Sequence, residues 1–287
     1  MGRKGKLFFG WEKRGAVSKF KLFGLTLLRR HDPFYALTVG ISHLTAELEL
    51  LKNINIPAAA NHPSIFGKYR NCHAGQDVVV IGTGPTLDQY TPIPGAIHIG
   101  VNRAFMQQQL ALDYLVIQDR LDIPDEAIIR YRPGKCHKLF GMHYLVPPYS
   151  EKMVEACAAE RYYFDAASPW DTGKTYPLDL EHQPLISFCC TIFIAVQLAL
   201  WTHPRRIYIV GCDTSLGGYC RAAETGSPQF LPIDAILKGW QMLRTFAQHF
   251  YPDVEIISVN PVGLKGLFRD MSMQGGELVD INERSDS

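Results

Sequence analysis

The chain has no C-x-x-C pair, no hydrophobic run of membrane-spanning length, no histidines at metal-ligand spacing and no low-complexity tract. Each absence removes a class of protein. The seven cysteines (Cys72, Cys136, Cys157, Cys189, Cys190, Cys212 and Cys220) are odd in number and scattered. That pattern indicates neither a disulfide framework nor a zinc site and fits reduced thiols in a reducing cytoplasm. The longest apolar run, Ile186 to Trp201, falls short of the roughly 20 residues that a span needs. It also contains Ser187, Thr191 and Gln197. Near the start, Phe8, Phe9 and Trp11 are followed at once by charges, so no signal-peptide core is read there. The expectation is a cytoplasmic protein that touches a membrane, if it does, from the inner surface.

What is present is ordinary globular material. The 287 residues are 47% hydrophobic and 20% charged, enough for one large α/β domain plus an appendage. The formal net charge of +1 hides an asymmetry, because nine Lys or Arg and a single acid, Glu12, lie between Met1 and Arg30. Such a start suits an anionic partner, either a phospholipid surface or a phosphorylated glycolipid; a solubilising tail would have the same composition. Nucleic acid is not an expected partner, since the basic residues lack interleaved aromatics over a defined face.

Two sections are expected. Residues 1–71 read as a basic N-terminal extension, with a helix-like stretch from Leu44 to Leu51 and a loop signal at Asn53-Ile54-Asn55-Ile56-Pro57. Residues 72–287 read as the main domain. It opens with the β-branched run Val78-Val79-Val80-Ile81, of the kind found in a strand buried on both faces. Further strands are expected at Ala96–Val101, Tyr114–Ile117, Lys138–Val146, Arg206–Val210 and Val254–Val259. Helices are expected at Ala104–Leu112, over the buried stretch Cys190–Trp201, and where Ile236, Trp240, Leu243, Ala247 and Phe250 recur at helical spacing. The alternation predicts an α/β, Rossmann-like fold: a mostly parallel sheet with helices on both faces. Residues near 147–184, rich in Tyr, Asp, Pro and Trp, break the alternation and read as an insertion able to cover a substrate.

In such sheets ligands bind beyond the carboxyl ends of the strands, which selects the polar residues to consider. After the first strand of the main domain comes Gly82-Thr83-Gly84-Pro85-Thr86-Leu87. Two glycines there let backbone N–H groups approach a phosphate, although a purely structural turn uses glycine in the same way. Leu87 replaces the third glycine of the dinucleotide fingerprint, and Asn102 stands where a ribose-binding acid belongs. Both departures argue against NAD and FAD. Asn102 and Arg103 end the next strand and suit phosphate or sugar contacts, while Asn102 also suits a helix cap. Asp119 is placed to accept from a ribose or acceptor hydroxyl, or to form an ordinary surface pair with Arg120. Asp213, after Gly211-Cys212, could orient a substrate or act as a base, and Tyr219 could donate to a leaving phosphate. The Gly217-Gly218 turn has an equally plain structural reading.

Two patterns are set aside. Gly173-Lys174-Thr175 looks like the end of a P-loop, but Ser168 occupies the place of its opening glycine. Asp122, Asp125 and Glu126 read as a helix start rather than a metal site.

Four features together resemble the bacterial sialyltransferase family that modifies lipooligosaccharide, and related motility-associated glycosyltransferase-like domains. They are the Gly-x-Gly-Pro-Thr-Leu turn, the strand ending in Asn102, the helix–strand unit from Cys189 to Asp213, and the late strand closing at Asn260-Pro261. The resemblance covers roughly Asp77 to Asp270, and Phe20–Leu28 is similar to a short segment of many lipopolysaccharide glycosyltransferases. It implies a CMP-activated acidic sugar (sialic acid or a Kdo-like relative) as donor, a glycan or glycolipid acceptor, and displacement without a metal or a further cofactor. It implies nucleotide and phosphate contacts from Gly82, Thr83, Gly84, Thr86 and Asn102, where the family has asparagine in the slot of Thr83. It matches Tyr219 to a tyrosine that assists the departing phosphate, and places a polar residue of the preceding helix near Ser187 or Cys189. The family's catalytic histidine corresponds to Gln229-Phe230-Leu231-Pro232, which holds none, so Asp213, Glu224, His182 and His143 stand as alternative proton acceptors. A pyrophosphokinase-like phosphotransfer enzyme of the same fold, needing Mg²⁺ and clustered acids, and a non-catalytic nucleotide-sugar-binding protein are the competing readings.

Overall fold

The computed structural model describes residues 9–14, 17–22, 25–31, 35–119, 123–144, 149–214, 218–223 and 232–281. The chain divides into two compact units, Met1–Lys52 and Asn53–Ser287. In the first, β1 (Phe9–Arg14), β2 (Val17–Leu22) and β3 (Leu25–His31) pair antiparallel in that order. Helix α1 (Tyr35–Leu50) follows, beginning nine residues before the helix-like stretch read from the sequence.

The second unit is built on a sheet of ten strands. They are β4 (Asp77–Ile81), β5 (Ile97–Val101), β6 (Tyr114–Ile117), β7 (His137–Met142), β8 (Glu160–Asp165), β9 (Leu185–Ile186), β10 (Arg206–Val210), β11 (Glu255–Val259), β12 (Arg269–Gln274) and β13 (Glu277–Asp280). Their spatial order is β13-β12-β11-β10-β4-β5-β6-β7-β8-β9. Every neighbouring pair is parallel except β12 with β13. The expected α/β architecture is therefore present.

Alternation along β4 explains why the sheet has a layer on each side. Val78 and Val80 enter one core with α2 (Ile56–Phe66), α5 (Ile192–Trp201) and α6 (Ile233–Phe250). Val79 and Ile81 enter the other, with α3 (Asp125–Arg130), α4 (Glu151–Cys157) and short 3₁₀ turns. All four side chains have no exposed surface, as a β-branched run between two layers requires. Helix α5 is buried along its whole length, matching its lack of a polar face.

Three differences from the sequence reading have physical causes. The helix expected over Ala104–Leu112 is a single 3₁₀ turn, Asn102–Met106. Leu110 and Leu112 both enter the second core, and their spacing of two suits extended rather than helical chain. Within 147–184 the alternation continues through α4 and β8. Ser150 caps α4 by accepting from the Met153 N–H at 3.2 Å, and Tyr162 and Phe164 point inward from β8. Regular structure is missing from residues 166–184, apart from turns. Helix α2, finally, is fastened to the sheet unit. His62 Nε2 accepts the Tyr163 N–H at 2.9 Å, and His62 Nδ1 faces the carbonyls of Leu180 and Gln183, each at 3.0 Å. Those partners fix the tautomer with the proton on Nδ1. Burial pushes its pKa down to about 4.

Candidate functional site

From β4 the chain moves outward through β5 to β9, then returns to place β10 on the other side of β4. The strand order reverses between β4 and β10, and open α/β sheets bind ligands beyond the carboxyl ends at such a point. Gly82–Thr86 leaves β4 there, and Gly211–Asp213 leaves β10.

The two turns interlock. Gly82 N–H donates to the Val210 carbonyl and Gly84 N–H to the Gly211 carbonyl, both at 2.8 Å. A Cβ on Gly82 would collide with the Gly211 carbonyl, and one on Gly84 with the Asp213 carboxylate. Gly211 itself has φ +63°, a left-handed conformation that glycine adopts without strain. Asp213 accepts from the Thr86 N–H at 3.0 Å and from its hydroxyl at 2.6 Å. Leu87 N–H donates to the Gly84 carbonyl, and Pro85 has no N–H. Within the turn, the Thr83 N–H alone has no partner among the described residues, while the Thr83 carbonyl accepts from Cys220 N–H at 2.8 Å. A cavity of about 10 Å³ is lined by Thr86, Asp213 and Asn260, among others. The glycines thus serve close packing first, and a ligand would approach the turn from outside it.

At the end of β5, Asn102 has φ +45°, a conformation asparagine tolerates. Its side chain does not cap the turn that follows. Its Oδ1 accepts instead from the N–H groups of Gln118 and Asp119, at 3.1 and 3.3 Å, and its Nδ2 donates to Thr191 Oγ1 at 3.1 Å. Asn102 therefore joins β5 to the end of β6 and to the start of α5. Beside it the Gln118 Oε1 is buried without a partner among the described residues, the kind of orphan that calls for an explanation. Arg103 is buried, with a guanidinium N–H donating to the Ala223 carbonyl at 3.1 Å. Asp119 is exposed at the rim.

Ser187 is buried just past β9. Its N–H donates to the Asp165 carbonyl at 3.1 Å, and its carbonyl accepts from Cys190 N–H at 2.8 Å. Phe188 and Cys189 both have positive φ, +37° and +64°, which turns the chain sharply into α5. Tyr219 is half-buried against the second core, beside the Cys220 bond to Thr83. Asn260 also has positive φ, +50°, and its Oδ1 accepts from Met273 N–H at 2.8 Å, so it anchors β12. Glu224, the residues Gln229–Leu231 of the stretch matched to the family's catalytic histidine, and Arg120 and Asp122 lie outside the described residues.

One constellation escaped the sequence reading. Asp165, the last residue of β8, is mostly buried and ion-pairs with Lys174 at 2.9 Å. His143 follows β7 and stacks on Phe164, with ring centroids 5.1 Å apart. Burial lowers its pKa, and the nearby Asp165 charge partly opposes that shift. The bonds from Asn102 to Thr191, from Cys190 to Ser187 and from Ser187 to Asp165 run continuously along this edge. The missed signal was Asp165 itself, which the strand-end rule would have selected had Glu160–Asp165 been read as a strand. His182, by contrast, sits exposed on a loop, paired with Asp179 at 2.7 Å. Among the described residues no group of three or more His, Cys, Asp or Glu could hold a metal ion, and no helix is long and apolar enough to cross a membrane.

No family model matches the chain, and no curated protein matches it. Among solved structures it is similar to the sialyltransferase CstII from Campylobacter jejuni in complex with the substrate analogue cytidine-5'-monophosphate. That match has 10% identity and a TM-score of 0.39, covering 64% of this chain and 80% of that one. The same enzyme in complex with CMP-3FNeuAc matches at 12% identity and a TM-score of 0.33, covering 67% and 82%. Likeness at this level decides nothing about activity; the architecture rests on the strand order of the chain itself.

Proposed function

We propose that this protein is a glycosyltransferase that moves an acidic sugar, sialic acid or a Kdo-like relative, from a CMP-activated donor to a hydroxyl of a surface glycan or of lipopolysaccharide or lipooligosaccharide. One observation carries the reading. The unpaired Thr83 N–H and the Asn102–Gln118 group lie at the carboxyl ends of adjacent strands, β4 and β5 with β6, beside the reversal of strand order. The motif resemblance supplies the identity of the carrier.

In this reading Gly82, Thr83, Gly84, Pro85 and Thr86 form the floor under the nucleotide phosphate, and Asp213 fixes that floor through Thr86. Asn102 and Asp119 line the rim, and Arg103 and Ser187 are buried residues that support it. Tyr219 donates to the phosphate oxygen as the bond to the anomeric carbon breaks and CMP departs; one preorganised donor of this sort is worth roughly 3 kcal/mol of barrier. The acceptor hydroxyl attacks the anomeric carbon and gives its proton to His143, whose depressed pKa keeps the imidazole neutral. Three strand spacings separate β4 from β7, about 14 Å, a distance that a nucleotide-sugar can span. The basic strands β1 to β3 would face an anionic, lipid-borne acceptor.

A second reading draws on the Asp213 bonds to Thr86: a carboxylate already engaged twice is a poor base, which favours a nucleotide-sugar-binding protein without transfer activity. Thermal shift with CMP, UDP, ATP plus Mg²⁺ and NAD tests the site. A rise in melting temperature with CMP alone is expected, and stabilisation by ATP with Mg²⁺ but not by CMP overturns the reading in favour of phosphotransfer. Release of CMP from CMP-sialic acid or CMP-Kdo by the purified protein then separates transfer from binding.

A further inference from the structure

A pocket of about 410 Å³ opens at the amino end of the sheet in the second unit. Glu255 and Arg269, which line it, are the first residues of β11 and β12. The turn Gly82–Thr86 lies past the carboxyl end of β4, which runs parallel to these strands, so the two places are at opposite ends of the sheet. The volume falls within the range of about 300–1,000 Å³ found for small-molecule sites. Val254 and Ile256, both buried, form an apolar floor. Ala247 and Gln248 of α6, with Tyr251 just beyond its end, make one wall, and Leu267 and Phe268 make the other. Phe268 packs edge-on against the buried Trp240 and Tyr251 against Phe246, each with ring centroids 6.0 Å apart. The core therefore holds both aromatic walls in place.

The charges around the pocket say what it would hold. Arg269 is already engaged, its Nη1 with Glu255 at 3.0 Å and its Nε with Asp280 at 2.8 Å. Glu255 is in turn paired with both Arg269 and Arg206, the latter at 3.4 Å. Arg244, on the α6 wall, makes no ion pair among the described residues. It leaves one uncompensated positive charge beside an apolar floor. A guanidinium offers a planar fork of donors that matches a carboxylate or sulfonate. An apolar body carrying one such group would satisfy the floor, the aromatic walls and the free cation together. A neutral hydrocarbon would leave the cation unused, and a polyanion would meet the Glu255 carboxylate.

We propose that this pocket binds a monoanionic amphiphile, an aryl or acyl body bearing one carboxylate or sulfonate, with its apolar part between Tyr251 and Phe268 and its anionic group on Arg244. The site is separate from the one assigned to the nucleotide and does not depend on the transferase reading.

Fluorescence titration of the full chain with 8-anilinonaphthalene-1-sulfonate tests it, because that dye joins an aromatic body to one sulfonate. Saturable binding of one dye per chain is expected, with displacement by decanoate. Arg244→Ala should weaken the binding by about tenfold or more, the scale of a charge-assisted hydrogen bond. The uncharged analogue N-phenyl-1-naphthylamine should bind more weakly than the sulfonate to the wild type and equally to Arg244→Ala. Gln248 lines the pocket from an exposed position on α6, so Gln248→Trp should fill the mouth and remove the binding with an unchanged circular-dichroism melt. Arg205→Gln changes a charge at the same end of the sheet but outside the pocket, where Arg205 pairs with Asp77, and should leave dye affinity within about twofold of wild type. Absence of saturable binding, binding indifferent to Arg244→Ala, or binding that survives Gln248→Trp overturns the proposal. Equal affinity of the wild type for the charged and uncharged dyes overturns it as well.

Discussion

The carboxylate of Asp213 accepts both the backbone N–H and the hydroxyl of Thr86, at 3.0 and 2.6 Å, and so ties the turn leaving β4 to the turn leaving β10. This side chain adds to the strand pairing and to the backbone bonds from Gly82 to Val210 and from Gly84 to Gly211, which already join the two strands on either side of the sheet's reversal. Asp213→Asn keeps the size but loses an acceptor, since an amide nitrogen cannot accept. We expect a loss of about 2 kcal/mol, the scale of a hydrogen bond to a charged group. Thr86→Val should lose about 1 kcal/mol, and the double variant less than the sum, because both changes remove the same bond. Urea denaturation of the four proteins measures the coupling; strict additivity would show that the bond contributes nothing.

Glycine at position 84 is required by space rather than by backbone conformation. Its φ is −68°, open to any residue, yet a Cβ there would meet the Asp213 carboxylate. Gly84→Ala should therefore destabilise by about 2–3 kcal/mol through overpacking. Gly75, with φ +77° and open space around it, provides the contrast. Gly75→Ala should cost about 1 kcal/mol from the left-handed backbone alone. Equal losses at the two positions would refute the steric account.

His62 gives a pH dependence with a definite sign. Its pKa falls from 6.5 to about 4 on folding, chiefly through burial. The unfolded chain therefore binds the proton more readily, and stability rises with pH between those values. The contribution is fully present above about pH 6.5 and is lost as pH falls toward 4, amounting to about 3 kcal/mol. His62→Gln should flatten this part of the profile, at the cost of the bonds to Tyr163, Leu180 and Gln183. Chemical denaturation at stepped pH would show it. A wild-type profile that is flat between pH 4 and 6.5 would contradict the assignment.

How much of this was legible in the sequence depended on how cleanly burial was written into it. Val78–Ile81 and Arg206–Val210 are strands buried on both faces, ending at glycine, and their ends point directly to Gly82–Thr86 and Gly211–Asp213. Asn102 was legible as a strand end, but its bonds to Gln118 and Thr191 were not, because they join elements 16 and 89 residues away. Glu160–Asp165 mixes acids, arginine and tyrosine, and only its alternation of inward Tyr162 and Phe164 marks it as a strand. With β8 unread, Asp165 had no strand end to stand on, and Lys174 looked like a false P-loop. The basic start similarly masked β1 to β3, because a charge count carries no information on strand pairing.

Asn102 separates a structural from a binding role. Asn102→Asp retains an acceptor for the Gln118 and Asp119 N–H groups but removes the donor to Thr191 and adds a negative charge near the proposed phosphate. Folding should change by about 1 kcal/mol, on the scale of one lost hydrogen bond. CMP affinity should fall by about tenfold or more, since like charges near an anion site repel across a partly dry boundary. Calorimetric titration of CMP against wild-type and Asn102→Asp protein decides the matter. Unchanged affinity would place the phosphate away from β5.

His143 is the residue on which the proposed transfer chemistry turns. If it takes the acceptor proton, the reaction needs the neutral imidazole, and the lowered pKa extends that form to more acidic pH. The acid limb of kcat/KM should then lie below pH 6.5, the ordinary histidine value, and should move upward when His143 is better solvated. Phe164→Ala, which removes the ring stacked on His143, provides that change. His143→Gln should lower kcat by about 10²-fold or more while CMP binding, measured separately, stays within about twofold of wild type, because removing a base leaves nucleotide contacts in place. A variant that loses CMP binding in step with turnover would make His143 a binding residue. A variant that keeps full turnover would leave the proton to another group on the carboxyl edge, with Asp165 the first to test because its carboxylate already stands beside Lys174.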